Sequence, residues 1–233
     1  MPHSALSMLL LLFLALVMPA WSWLNMRRLK RLDSDTARTR RYIVTVSKMG
    51  ALALLASWLM PSTLWVLPAG LAASFKLNAM PASVRIGITL GTVLVLLMPV
   101  VLVRLSPALV KQQLAALRFM LPTTRSQRLL WVLVCLSAGI GEEWVYRGFV
   151  LHYLTAAWPG LAGWAVLLVA AAVFGLAHAY QGWRGVLATA VVGLLFSVLY
   201  LGTGNLLLPM LLHTLIDLHV LLLLPAVRPT STG

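Results

Sequence analysis

The sequence predicts an all-α fold, a polytopic transmembrane helical bundle of about seven spans, from three observations. Charged residues are 10% of the 233 and hydrophobic ones 61%, whereas a soluble domain carries roughly 25% charged residues. Several uncharged stretches reach the roughly 20 residues that a helix needs to cross a bilayer. The apolar runs are continuous rather than alternating, and irregular backbone cannot face hydrocarbon, so helices and not a β-barrel are the expected spanning element.

Residues 4–26 carry no charge. A cleaved signal peptide has its basic residues before the apolar region, but here they follow it. This segment is therefore expected to insert with its N-terminus outside and to remain as the first span, with Trp21 and Trp23 at an interface. The second span is expected within 49–75, where Pro61 and Pro68 signal a kink or an early exit, and the third over about 86–103. The stretch 106–128 has Leu109, Leu114 and Leu117 at helical spacing beside Lys111 and Arg118, which reads as a short amphipathic helix on the inner surface. Four closely spaced spans follow at about 129–153, 161–179, 185–201 and 206–224, with breaks at Trp158-Pro159-Gly160, 181–184 and 202–205. The chain thus divides into N-terminal helices with an amphipathic linker (1–128), to which no role is assigned, a core (129–224) and a short tail (225–233).

The net charge of +13 falls into two blocks that alternate with the spans. The first comprises Arg27, Arg28, Lys30, Arg31, Arg38, Arg40, Arg41 and Lys48; the second comprises Arg104, Lys111, Arg118, Arg125 and Arg128. The positive-inside rule makes such blocks cytoplasmic loops facing anionic lipid headgroups and leaves the C-terminus cytoplasmic, in a bacterial-type inner membrane. This distribution argues against a nucleic-acid partner. Cys135 is the single cysteine, so no intrachain disulfide can form.

Three of the five acidic residues, Glu142, Glu143 and Asp217, lie inside expected spans. A charge at mid-membrane costs about 2.5 kcal/mol or more, so such residues point to a function and require partners. Glu143 and Arg147 are four apart, on one helical face and in the favourable order for an ion pair. Glu142 points about 100° away and is left to face a cavity, where a desolvated carboxylate suits a general base. His213 and Asp217 share a face in the same way, as do Phe174 and His178. Converging, these helices would bring together one base, two imidazoles and an orienting carboxyl group, an inventory suited to attack of activated water on an amide carbonyl. His3, His152 and His219 are read as bystanders, His219 being turned well away from His213 around the helix.

Three motifs resemble those of the CAAX-protease and bacteriocin-processing (CPBP or ABI) family of intramembrane glutamic endopeptidases. They are Glu142-Glu143-Trp144-Val145-Tyr146-Arg147-Gly148, Phe174-Gly175-Leu176-Ala177-His178 and His213-Thr214-Leu215-Ile216-Asp217, in order on separate spans. The resemblance covers about 129–224. It implies proteolysis of a membrane-anchored protein or peptide without a covalent intermediate and without a cofactor. Glu142 would be the base, His178 would help hold the water, and His213 with Asp217 would lie on the oxyanion side. Asp217 can donate a hydrogen bond only when protonated, so it either meets the oxyanion in that form or orients His213. Prenylated C-termini, leader peptides and C-terminal sorting tails are all compatible substrates.

Two histidines plus Glu142 would also satisfy the ligand count of a catalytic zinc site, although the resemblance favours a metal-free one. There is no His-Glu-x-x-His motif and no Gly-x-Ser-x-Gly elbow. A proton-coupled transporter would be expected to show inverted repeats or paired broken helices, and none is evident. A non-catalytic immunity or scaffold protein is the other alternative; retention of every motif residue counts against it.

Overall fold

The computed structural model describes residues 4–32, 34–60 and 65–224. Helix α1 (Ser4–Leu12) runs through a π-helical stretch (Phe13–Val17) into α2 (Met18–Leu32), followed by α3 (Asp35–Leu59), α4 (Ala69–Ser74), α5 (Ala82–Leu105) and α6 (Pro107–Leu117). Helix α7 (Arg125–Glu143) continues through a second π-helical stretch (Trp144–Val150) into α8 (Leu151–Ala157). Helices α9 (Gly163–Ala177), α10 (Gly182–Thr203) and α11 (Leu207–Leu223) complete the described chain. Among the described residues there is no strand, only an isolated bridge between Val66 and Asn205.

Five helical runs are long and apolar enough to cross a membrane: Ala5–Arg28, Asp35–Leu59, Ala82–Leu105, Arg125–Ala157 and Ala179–Thr203. Helices α9 and α11 are shorter apolar helices. The protein is an integral membrane, all-α polytopic bundle. Leu54, Leu94 and Trp164 project outward at 74%, 70% and 64% exposure, the surface that lipid rather than water would cover.

Local chemistry sets the helix ends. The side chains of Ser34, Ser106 and Thr124 accept from the backbone N–H of Ala37, Leu109 and Gln127, capping α3, α6 and α7. Pro107 occupies the first turn of α6, where no donor is needed. Gly204 closes α10 at φ 73°, a left-handed conformation that costs glycine little.

The second span differs from expectation: it begins at Asp35 and ends at Leu59, not within 49–75. Arg38, Arg41 and Lys48, read as loop charges, lie on this helix. Arg38 folds back onto Asp35 at 2.6 Å and reaches Thr123 at 3.3 Å, while Arg41 and Lys48 line a polar cavity. The charges are tolerated because they do not face lipid. The expected kink at Pro61, the bystander His3 and the tail 225–233 lie outside the described residues; Pro68 caps α4. The amphipathic helix is shorter than 106–128, because Thr124 caps a new helix that takes Arg125 and Arg128 into α7. Leu114 packs with Leu223, whereas Leu109 stays exposed.

Side-chain bonds tie α3 to α7 at both ends of their contact. Gln127 donates to the Asp35 carbonyl at 3.1 Å and lies 3.3 Å from the Thr39 hydroxyl. Trp144 Nε1 donates to Ser57 Oγ at 2.8 Å. Phe149, Val150, Leu151, Tyr200 and Leu206, all at 0% exposure, anchor the main core around the second π-helical stretch.

Candidate active site

Two glycines bring the chemistry-bearing helices together. A Cβ at Gly139 would lie 2.6 Å from the Thr214 backbone nitrogen, so α7 and α11 touch backbone to backbone one residue after His213. A Cβ at Gly175 would lie 2.7 Å from the Val186 carbonyl oxygen, so α9 and α10 are pressed together in the same way. Close approach at small residues is a common means of helix association where apolar burial gives no preference between protein and lipid.

On this frame Glu142, His178, His213 and Asp217 line one cavity of about 360 Å³. Glu142 Oε2 and His178 Nε2 face each other at 3.9 Å, both side chains largely buried. That gap is too long for a direct hydrogen bond but fits a single bridging water. His178 closes the C-terminus of α9, with its Nδ1 3.0 Å from the Phe174 carbonyl oxygen. Donating Nδ1–H to that carbonyl leaves Nε2 unprotonated in the neutral ring and turned to the cavity.

Glu143 points away from Glu142 and into a buried network. Its Oε1 accepts from Arg147 Nη1 at 2.9 Å and lies 2.8 Å from His213 Nδ1. Arg147 Nη2 donates to the Gly193 carbonyl at 2.8 Å, and the guanidinium lies over the Phe174 ring at 4.4 Å. Phe196 stacks on His213 with centroids 5.1 Å apart. The ion pair is fully buried, so its hydrogen bonds and ring contacts are what make its desolvation tolerable.

The structure adds a partner for His213 that helical spacing did not show. Helical spacing made Asp217 the partner that could orient His213, but Asp217 Oδ2 lies 3.8 Å from Nε2, whereas Glu143 makes the direct contact. Pairing across helices is invisible to a rule about residues four apart. Glu143 therefore serves both Arg147 and His213. His219 lines the same cavity, its Nδ1 hydrogen-bonded with the Ile216 carbonyl, because the cavity is wide enough to extend past the His213 face. His152 is buried against the Gly148 carbonyl at 2.6 Å.

Sequence reasoning missed several lining residues: Tyr146, Tyr180, Arg41 and Lys48. Tyr146 carried a usable signal, since it follows Glu142 by four. The π-helical stretch that begins at Trp144 carried none; such insertions alter the helical register and are frequent at functional sites. The cavity is also wider than one between the fourth, fifth and last spans, for α2 and α3 contribute Met18, Ser22, Thr45 and Met49. Among the described residues, no group of three or more His, Cys, Asp or Glu is placed to hold a metal ion.

Carboxylates and imidazoles from three separate helices thus meet at one cavity inside a membrane bundle. Residues 124–219, the segment that carries the three motifs, match the family model described as type II CAAX prenyl endopeptidase Rce1-like. The match takes in the five helices α7 to α11, up to residue 219, and leaves α2 and α3 outside it. No curated protein and no solved structure matches the chain.

Proposed function

We propose that this protein hydrolyses a peptide bond in or next to a membrane-embedded segment of its substrate, using water activated by Glu142. The observation that carries the reading is the 3.9 Å gap between Glu142 Oε2 and His178 Nε2, which suits one water held by both groups. Glu142 takes a proton from that water as its oxygen bonds to the carbonyl carbon. The same proton then goes to the amine as the carbon–nitrogen bond breaks, so no covalent enzyme intermediate forms.

His213 lies on the oxyanion side. With Nδ1–H given to Glu143, only the ring protonated on both nitrogens can also donate from Nε2 into the cavity. Asp217, 3.8 Å from that nitrogen, is placed to hold it through a water. Glu143 and Arg147 position His213 and do not touch substrate. No cofactor is required by these steps.

The two basic blocks support an orientation with the N-terminus outside, the C-terminus cytoplasmic and anionic headgroups beside the basic segments, in a bacterial-type inner membrane. The test is cleavage of membrane-anchored peptides by detergent-purified protein, comparing wild type with Glu142→Ala, Glu142→Gln and His178→Ala, with and without a chelator. Cleavage lost in all three variants and indifferent to chelation supports the glutamate–water mechanism. Chelator sensitivity points to zinc, and a wild type that cuts nothing, with a cellular phenotype that survives the substitutions, points to a scaffold.

A further inference from the structure

The helical run that carries Glu142 brings a second group to the same cavity. Every residue from Val145 to Val150 is buried, in the π-helical stretch that follows the two glutamates. Glu142 and Tyr146 line the cavity, whereas the next residue in each case, Glu143 and Arg147, enters the buried ion pair. The Tyr146 ring stands edge-on to Phe174 with centroids 5.0 Å apart, and the same Phe174 ring lies 5.0 Å from the His178 ring and 6.3 Å from that of His213. Tyr146 is thus held beside the space that Glu142, His178 and His213 enclose, and it is electrostatically coupled to Glu142.

Among the described residues, four side-chain polar atoms are closed off without a hydrogen-bond partner: Trp131 Nε1, Glu143 Oε2, the Tyr200 hydroxyl and His219 Nε2. The Tyr146 hydroxyl has no partner either, but it is not closed off, so the small open part of this residue is its hydroxyl, on the cavity. A ring that only filled the core would do without it, as the fully buried Phe149 does three residues on. An unpaired hydroxyl inside a bundle is unfavourable unless something completes it. Neutral His213 cannot supply a donor to the cavity: with Nδ1–H given to Glu143, its Nε2 is an acceptor. A phenol donates without any change of charge. We propose that the Tyr146 hydroxyl donates a hydrogen bond to the oxygen of the scissile carbonyl as that oxygen becomes the oxyanion. As the water oxygen bonds to the carbonyl carbon, the π pair moves onto the carbonyl oxygen and meets the O–H dipole. Tyr146 keeps its proton throughout, and the pair re-forms the carbonyl when the carbon–nitrogen bond breaks. This inference rests on the hydrolytic reading above and adds a catalytic residue to it.

The test compares full-length wild type with Tyr146→Phe in detergent, on a membrane-anchored peptide that wild type cuts. Tyr146→Phe keeps the ring against Phe174 and should melt close to wild type. It is expected to lower kcat about 100-fold, the scale of one oxyanion donor, with KM changed by less than about twofold. A phosphinic analogue of the peptide, with a tetrahedral phosphorus oxygen where the oxyanion forms, should bind the variant at least about tenfold more weakly than wild type. The uncut peptide should bind Glu142→Gln protein and the Glu142→Gln, Tyr146→Phe double variant within about twofold of each other, because the donor acts on the developing charge. A phenylalanine variant with wild-type kcat, or one that loses affinity for peptide and analogue alike, overturns the proposal and leaves hydrolysis by Glu142 standing. A wild type that cuts no peptide overturns both.

Discussion

Glu143 holds His213: its Oε1 lies 2.8 Å from the imidazole Nδ1 while also accepting from Arg147 at 2.9 Å. The adjacent carboxylate, Glu142, faces the opposite way, toward His178. Neighbours in sequence thus have separate work, and they should fail differently when substituted.

Glu142→Gln removes the base while keeping the shape of the side chain and its capacity to hold a water. It should fold with a melting temperature close to wild type and lose cleavage by at least about 100-fold, the scale of a general base. Glu143→Ala leaves Arg147 buried and uncompensated, which costs about 3–5 kcal/mol, so it should lose both stability and activity. Thermal unfolding in detergent alongside cleavage separates the two; equal stability of the variants would refute the assignment.

Asp217→Asn should cost much less activity than His213→Ala, because Glu143 and not Asp217 makes the direct bond to the ring. A loss of about tenfold is expected for the asparagine, which can still hold a water, against 100-fold or more for the alanine. Measured kcat/KM values settle the order, and equal losses would place Asp217 on the reacting atoms.

Gly139→Ala should be harmful for its size. The added Cβ would meet Thr214 backbone atoms at 2.6 and 2.8 Å, so α7 and α11 must part and carry His213 with them. Overpacking of this kind costs about 1–3 kcal/mol, and a displaced catalytic group costs about 100-fold in rate. Gly91→Ala on α5, where a Cβ meets nothing within 4 Å, is the control and should match or slightly exceed wild-type stability. Comparable melting temperatures for the two variants would contradict the close contact.

Arg147→Lys should not substitute for arginine. The lysine can reach Glu143 but cannot also supply the second fork to the Gly193 carbonyl, now 2.8 Å from Nη2, nor the flat face over Phe174. A destabilisation of about 1–3 kcal/mol, the worth of a hydrogen bond from a charged donor, is expected in denaturation assays.

How much of this was legible in the sequence follows from the range of each rule. Glu143 with Arg147 could be paired from their spacing because both lie on one continuous helix. The same rule put Asp217 beside His213, 3.8 Å from its Nε2, but could not show Glu143, which reaches Nδ1 from another helix. Lys48 and Arg41 were read as loop charges because charge near an apolar run usually marks its end; only the cavity explains them on a spanning helix. The bound of the second span was wrong for the same reason.

The sequence by itself determined that the chain is a helical membrane bundle and which residues share a helical face, because solvent preference and the 3.6-residue turn act along the chain. It also placed Glu142, Glu143 and Asp217 in segments where a carboxylate needs a reason. The tertiary structure decided which faces meet: Gly139 against Thr214, Gly175 against Val186, and α3 across the cavity from Glu142. Those pairings depend on packing between segments far apart in the chain, where small residues permit close approach and the electrostatic partner is chosen by distance in space.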